Sequence, residues 1–316
     1  MIFSRISVFL LICIAFVLVS CGNSAEQKAA EPKNDSLQLK VGVYPVEDAL
    51  PMLLARDWGV MDSLGLNVKV VVYKSQLDAE EALAAGKIDA ALTDLFRTAW
   101  WQWQKKPVRF AFATQRQLLL VPNKVLRINK IDQLDDRMIA ISRHSLDDYY
   151  CDCAVELIAK RKGQILRPQI NDVQLRLSML TSGQLDAVVL PTLMAARANK
   201  AGYKSLAIDM KLTESYAGFA YNTYIYNKRP EDMQKLESAY NIVVGRLRKS
   251  AAMPDISEST AKGMGIDSAA VKGVECAKTF AFTSAPTAAA IGTAVAWLKA
   301  RGAVSANYTA DTLVVK

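Results

Sequence analysis

Gly86-Lys87-Ile88-Asp89-Ala90-Ala91-Leu92 and Gly183-Gln184-Leu185-Asp186-Ala187-Val188-Val189-Leu190 are two versions of one instruction. In each, a helical pattern (Leu77 to Ala85, Gln174 to Ser182) ends at a glycine able to take a left-handed cap. Asp-Ala then opens an apolar run long enough for a strand buried on both faces. Each run leads into a polar or proline-containing loop, Thr93-Asp94 first and Pro191-Thr192 second. One Gly-x-Leu-Asp-Ala is an ordinary helix-to-strand turn; two in equivalent surroundings imply two halves of one design. Open α/β sheets bind ligands at the carboxyl ends of their strands, so two such halves facing each other make a cleft.

Working outward, the pattern is a repeated strand, helix, strand. Leu39 to Tyr44 alternates and is β-branched, and Asp48 is placed to cap a helix with Pro51 in its first turn, burying Leu50, Leu53, Leu54 and Met61. Asn67 to Tyr73 and Ile88 to Leu92 read as strands flanking that first repeat. Asp94 to Gln104 follows as a helix with Phe96, Trp100 and Trp103 on one core-facing stripe and Trp101 pointing elsewhere. Val108 to Thr114 is the next strand, and Gln117 to Val121 leaves the first domain. The second half has a strand at Met138 to Ser142 and a helix from His144 to about Lys162, with Ser145 and Asp148 at capping-box spacing. Met194 to Ala201 is a further helix, Tyr216 to Tyr226 a strand returning to the first domain, and Pro230 to Arg248 a long helix. Ala285 to Ala300 and a short strand near Leu313 close the chain. The 316 residues suit two domains of one compact protein.

The amino terminus sets the compartment. Arg5 precedes the mainly apolar run Ile6 to Val19, which fits an export signal and is short for a membrane span. The run stops at Leu18-Val19-Ser20-Cys21, and Gly22 to Ser36 is a polar stretch without apolar periodicity, the composition of a disordered tether. There are 39 Lys and Arg against 31 Asp and Glu. That excess is diffuse: Lys105-Lys106 and Lys160-Arg161-Lys162 sit at expected helix ends, where cations complement the dipole. Nucleic acid is not an expected partner. Beyond Cys13 and Cys21, the cysteines are Cys151, Cys153 and Cys276, an odd number, so one thiol at least stays free. Cys151 and Cys153 diverge on one helix, and with His144 they match no closed zinc spacing, so no metal is expected.

These features resemble the type II periplasmic solute-binding proteins. The resemblance is carried by the lipobox-like Leu18-Val19-Ser20-Cys21, the opening Val41-Gly42-Val43-Tyr44-Pro45, the two Asp-Ala echoes, Ile131-Asp132-Gln133-Leu134 before a strand, Ser145 starting a helix, and Trp297-Leu298 with Gly302. It covers nearly all of the mature chain, with loose motifs, and lies nearest the branch serving transporters of sulfonates, taurine, nitrate and pyrimidine precursors. It implies a signal peptide at 1–20, lipid on Cys21, a tether at 21–36, lobe 1 from 37–117 and 220–316, and lobe 2 from 118–219. Each lobe is an α/β unit, a mostly parallel sheet flanked by helices. The two segments crossing between them lie near Arg116 to Leu119 and Tyr216 to Ala220. The partners implied are a small-molecule ligand, an ABC permease, and the membrane through Cys21, on the periplasmic or extracellular face. A monomer without cofactor is expected.

By family position the ligand-binding residues are Tyr44, Glu47, Asp48, Thr93, Asp94, Arg116, His144, Ser145, Thr192 and Tyr216. Helix N-termini with Arg116 or Arg143 could clamp a sulfonate or carboxylate. Against that, Asp48, Asp94, Asp147 and Asp148 already fall in first turns or caps, and Tyr44, Tyr149 and Tyr216 offer flat faces. The balance favours a neutral or cationic nitrogenous ligand, although Asp in a first turn is ordinarily only a cap. Two other functions stay open: an enzyme on the same scaffold, of pyrimidine-precursor or menaquinone-pathway type, and a surface lipoprotein binding a macromolecule. The enzyme is disfavoured because His144 is the one histidine and no nucleophile-base or metal-ligand set is visible.

Overall fold

The computed structural model describes residues 38–208, 212, 214–266 and 274–315. The expected leader, Cys21 and the tether lie outside the described residues.

Both motifs form what their spacing predicts. Gly86 and Gly183 have φ of 68° and 82°, the left-handed turn a glycine takes most cheaply, after helices Gln76–Ala84 and Val173–Thr181. Buried strands follow, β3 (Ala90–Asp94) and β7 (Ala187–Pro191). The aspartate of each motif fastens a neighbouring strand: Asp89 accepts the Lys40 N–H at 2.7 Å and Asp186 the Met138 N–H at 3.0 Å. These are the entrances to β1 (Leu39–Val43) and β6 (Ile139–Ala140), which run parallel to β3 and β7. An asparagine completes each copy. Asn222 and Asn123 donate their backbone N–H to the carbonyls of Asp89 (2.9 Å) and Asp186 (2.7 Å), and their side-chain amides to those of Leu83 and Leu180 (3.3 Å each). The repeated aspartate is therefore a building element in both halves.

The first sheet has the order β2-β1-β3-β8-β4, with β2 at Val68–Val72, β4 at Val108–Ala113 and β8 at Ala217–Asn222. The second has the order β5-β7-β6, with β5 at Leu118–Pro122. One strand in each runs against the rest, β8 in the first and β5 in the second. The chain crosses from one sheet to the other through residues 114–117 and comes back at β8. Residues 217–219, expected to close lobe 2, pair in the first sheet instead: Gly218 lies opposite both Thr93 and Ala113.

The core of the first sheet is covered by helix Leu50–Asp57, which buries Leu50, Met52, Leu53 and Leu54 against helix Pro230–Lys249. Full burial of one such side chain stabilises by about 1.5–3 kcal/mol. Helix Leu95–Trp103 buries Phe96, with Trp100 and Trp103 half-buried on the same cluster, as its stripe predicts. Helix Ala288–Ala300 packs on it.

Four local expectations change. Asp48 is no cap: a short 3-10 turn, Glu47–Ala49, precedes the Leu50 helix, and neither is capped by a side chain. The helix capped by Ser145 runs only from Leu146 to Glu156, because Asp132 and Asp135 accept the N–H groups of Ala159 (3.1 Å), Lys162 (2.8 Å) and Gly163 (3.0 Å) and draw that segment away. The returning strand stops at Asn222, whose side chain accepts the Tyr224 N–H at 3.0 Å and starts helix Thr223–Lys228. Near Leu313 there is only an isolated bridge, Val314 to Phe110. Cys151, Cys153 and Cys276 are free thiols. Among the described residues no helix is long and apolar enough to cross a membrane.

Candidate ligand-binding cleft

The two halves meet through equivalent parts. Ser75 and Asp172, the N-caps of the two motif helices, form a β-bridge with each other. Asp94, at the carboxyl end of β3, accepts the Leu146 N–H at the start of the opposite helix at 3.1 Å, and Arg97 Nη1 donates to the Arg143 carbonyl at 3.3 Å.

Behind these contacts lies a buried polar network. The Tyr44 hydroxyl donates to Gln76 Oε1 at 2.8 Å, and Gln76 Nε2 donates to Glu80 Oε1 (2.8 Å) and Asp94 Oδ2 (2.7 Å). Thr93 Oγ1 and Arg97 Nε donate to Glu80 at 2.5 and 2.8 Å. Asp94 Oδ1 accepts the Arg97 N–H at 2.8 Å. Asp94 is thus the expected cap of its own helix, and also puts a carboxylate at the positive end of the facing helix, the place a ligand anion would take. Burial, and then the nearby Glu80, raise its pKa to about 6.

Arg116 is committed as well. Its Nε and Nη2 donate to the two carboxylate oxygens of Asp48 at 2.9 and 3.0 Å, with both side chains 1% exposed, and the Thr114 hydroxyl joins at 2.7 Å. The guanidinium lies 5.2 Å from the Tyr44 ring centre. In this structure the Arg116 fork is filled by Asp48. Ser145 is turned inward, its hydroxyl donating to the Ser142 carbonyl at 2.7 Å and accepting the Asp147 N–H at 3.2 Å. His144 takes a left-handed φ of 57°, gives its N–H to Asp148 at 3.0 Å and stacks on Trp100. Tyr216 packs on Phe96 and accepts the Leu95 N–H through its carbonyl at 2.9 Å.

The remaining two residues stand apart. Glu47 and Thr192 line a cavity of about 340 Å³ between the Leu50 helix and helix Thr192–Lys200. A second cavity, about 580 Å³, opens beside the crossing segment and includes Arg116 and Tyr216. The structure therefore joins Tyr44, Thr93 and Asp94 through Gln76 and Glu80, pairs Asp48 with Arg116 beside the Tyr44 ring, and leaves Glu47, Thr192, Arg116 and Tyr216 lining cavities. Among the described residues, no group of three or more His, Cys, Asp and Glu is arranged to hold a metal ion.

Glu47 is buried, and burial followed by the neighbouring Asp48 raises its pKa from 4.5 to about 7. An acid with a raised folded-state pKa contributes stability that is present at low pH and lost as pH rises through the folded value. Melting temperature should therefore fall between about pH 4.5 and pH 8, Asp94 acting over the lower part and Glu47 over the upper. For Glu47 the shift corresponds to on the order of 3 kcal/mol at full ionisation. Glu47→Gln should flatten the curve above pH 5; an unchanged pH profile in that variant would show that Glu47 is solvated.

Gln76, Glu80 and Arg97 belong to the network and were not foreseen. Gln76 and Glu80 stand one turn apart on the helix face that meets β3, and Arg97 stands three residues after the capping Asp94. Arg176 is the counterpart on the other side, fully buried and bound to Asp147 at 2.8 Å.

No protein-family model matches the chain, and no curated protein matches it in sequence. Solved structures do match its shape. The alkanesulfonate-binding protein SsuA from Xanthomonas axonopodis pv. citri, bound to MOPS, superposes with a TM-score of 0.70 at 16% identity over 91% of this chain and 99% of that one. The ligand-binding component of an ABC-type import system from Staphylococcus aureus, with zinc bound, gives 0.71 at 11% identity over 88% and 96%. The Candida albicans CA3427 gene product, which defines a family with the generic periplasmic binding protein fold, gives 0.65 at 13% identity over 88% and 96%. With two α/β units, two crossings between them and strand-end loops that face each other, the chain has the two-lobed type II periplasmic-binding-protein fold.

Proposed function

We propose that this protein captures a small organic molecule between its two lobes, outside the cytoplasm, and delivers it to an ABC permease. Lobe 1 comprises 37–117 with the chain from β8 onward, and lobe 2 the residues between. The observation that carries the reading is that loops at the strand ends of both sheets, and the N-caps of both motif helices, meet at one interface where Asp94 reaches Leu146. A protein built this way excludes water from a ligand by closing the lobes on it. Its similarity in shape to binding components of importers supports the transport role.

The anchor is part of the proposal. Leu18-Val19-Ser20-Cys21 places a lipid-bearing cysteine at the head of the mature chain, and several acyl chains, at about 0.8 kcal/mol per buried methylene, hold a protein durably at a membrane. Cys21→Ala should abolish acyl labelling and release the protein from the membrane fraction. Unchanged labelling would refute the anchor.

A thermal-shift panel of sulfonates, carboxylates, amines and pyrimidines tests the binding role. A ligand at about 100 times its dissociation constant adds roughly 2.7 kcal/mol of stability. If no compound of any of these classes moves the transition, the solute-binding reading fails.

A further inference from the structure

Among the described residues three buried side-chain atoms lack a partner, Glu47 Oε2, Arg97 Nη2 and His144 Nδ1, and of these three residues Glu47 is the one that lines a cavity described above. Glu47 Oε1 accepts the Gln117 N–H at 3.0 Å, but Oε2 is buried without a partner. An unpaired buried carboxylate oxygen is costly, and native structures retain one where something is missing or where it does work. Glu47 lines the cavity of about 340 Å³, at the small end of ligand-site volumes.

The walls of that cavity come from both lobes. Leu50 belongs to the helix after β1, Leu193 to the helix after β7, and Phe280 stands beside them; all three are buried, so the walls are preformed hydrocarbon. Two of the other polar groups at its edge are engaged. The Thr192 hydroxyl donates to the Gln117 carbonyl at 3.2 Å, and at the exposed rim Lys278 pairs with Glu275 at 2.5 Å. Glu47 Oε2 is thus left without a partner in a residue that lines a largely hydrocarbon chamber. A sulfonate or carboxylate would meet Glu47 with Asp48 beside it, while of the nearby cations Arg116 is held bidentate by Asp48 and Lys278 pairs with Glu275.

We propose that this cavity binds a small apolar amine, Glu47 taking the ammonium group and Leu50, Leu193 and Phe280 the hydrocarbon. The inference rests on the solute-binding reading above and narrows its ligand class. The ammonium supplies the counter-charge the buried carboxylate lacks, and the charge-assisted hydrogen bond it makes is about twice as strong as a neutral one. Binding requires Glu47 to be ionised, so affinity rises with pH through about 7, where Glu47 titrates. Of the charged groups around it, Asp48 opposes and Arg116 favours that ionisation, while Lys278 and Glu275 at the rim pair with each other.

The test is calorimetric titration of the full chain in detergent with n-pentylamine, 1-pentanol and pentane-1-sulfonate. The amine should bind at pH 8 at least tenfold more tightly than the alcohol, and the sulfonate should not bind. The amine should weaken by roughly 30-fold between pH 8 and pH 5.5. Glu47→Gln keeps an acceptor for Gln117 and should lose the amine's advantage and its pH dependence. Ala196→Leu, which fills the cavity from the opposite wall, should weaken amine and alcohol alike with Glu47 intact. Equal binding of amine and alcohol, or amine binding unaffected by Glu47→Gln, overturns the proposal. If the sulfonate binds and the amine does not, the amine site is wrong while solute capture stands; if nothing in the wider panel binds, both fall.

Discussion

Asp48→Ala should lower the free energy of unfolding by about 3–5 kcal/mol, the cost of leaving one member of a buried ion pair without its partner. Arg116 cannot shed its charge, and its side chain is 1% exposed, so water cannot replace the carboxylate. The Thr114 hydroxyl also loses its acceptor. Equilibrium denaturation in urea should show a lower midpoint with an unchanged slope. Asp48→Leu combined with Arg116→Met removes both charges and should recover most of the loss, since a buried pair replaced by hydrocarbon is often neutral. A loss below about 1 kcal/mol for Asp48→Ala would mean that the pair is solvated and worth no more than a surface bridge.

Arg176→Met should have an effect of similar size on the other side of the cleft, toward the lower end of about 3–5 kcal/mol because Asp147 retains some contact with water. Arg176 donates to Asp147 (2.8 Å), the carbonyls of Val189 (2.5 Å) and Ile170 (2.9 Å), and the Ser142 hydroxyl (2.9 Å). It therefore ties together the end of β7, the residues after β6 and the entrance to the Ser145 helix. Methionine keeps much of the volume and none of the donors. Adding Asp147→Asn should restore part of the stability, because it removes the stranded charge. If the double variant is no more stable than Arg176→Met, the carbonyl bonds rather than the ion pair hold this corner.

The scaffold could be read from the chain because its signals are local. Gly86 and Gly183 announce their helix ends, the apolar runs their buried strands, and Ser145 its helix start; each is decided within a few residues. The expectations that changed depend on partners far along the chain. Asp48 sits where a cap belongs, but Arg116, 68 residues away, takes its carboxylate. The Ser145 helix stops early because of Asp132 and Asp135, 27 residues before the N–H groups they bind. The family resemblance also picked out residues that lie close together, Tyr44, Thr93, Asp94 and Arg116, without showing that Gln76, Glu80 and Asp48 take their polar groups. Gln76, Glu80 and Arg97 escaped notice because a polar residue on a buried helix face is indistinguishable in sequence from one on a solvated face. Trp101 shows the same limit: its outlying position was legible, its bond to Glu80 at 3.0 Å was not.

In the proposed function one small solute is held by both lobes at once. Amide hydrogen exchange on the full chain, with and without the compound that most raises its melting temperature, tests this directly. Protection should rise together in residues 44–50 of the first lobe and 192–196 of the second, and at Leu146, whose N–H reaches across to Asp94. A compound that saturates the protein by calorimetry yet protects only one of those two segments would contradict a ligand held between the lobes.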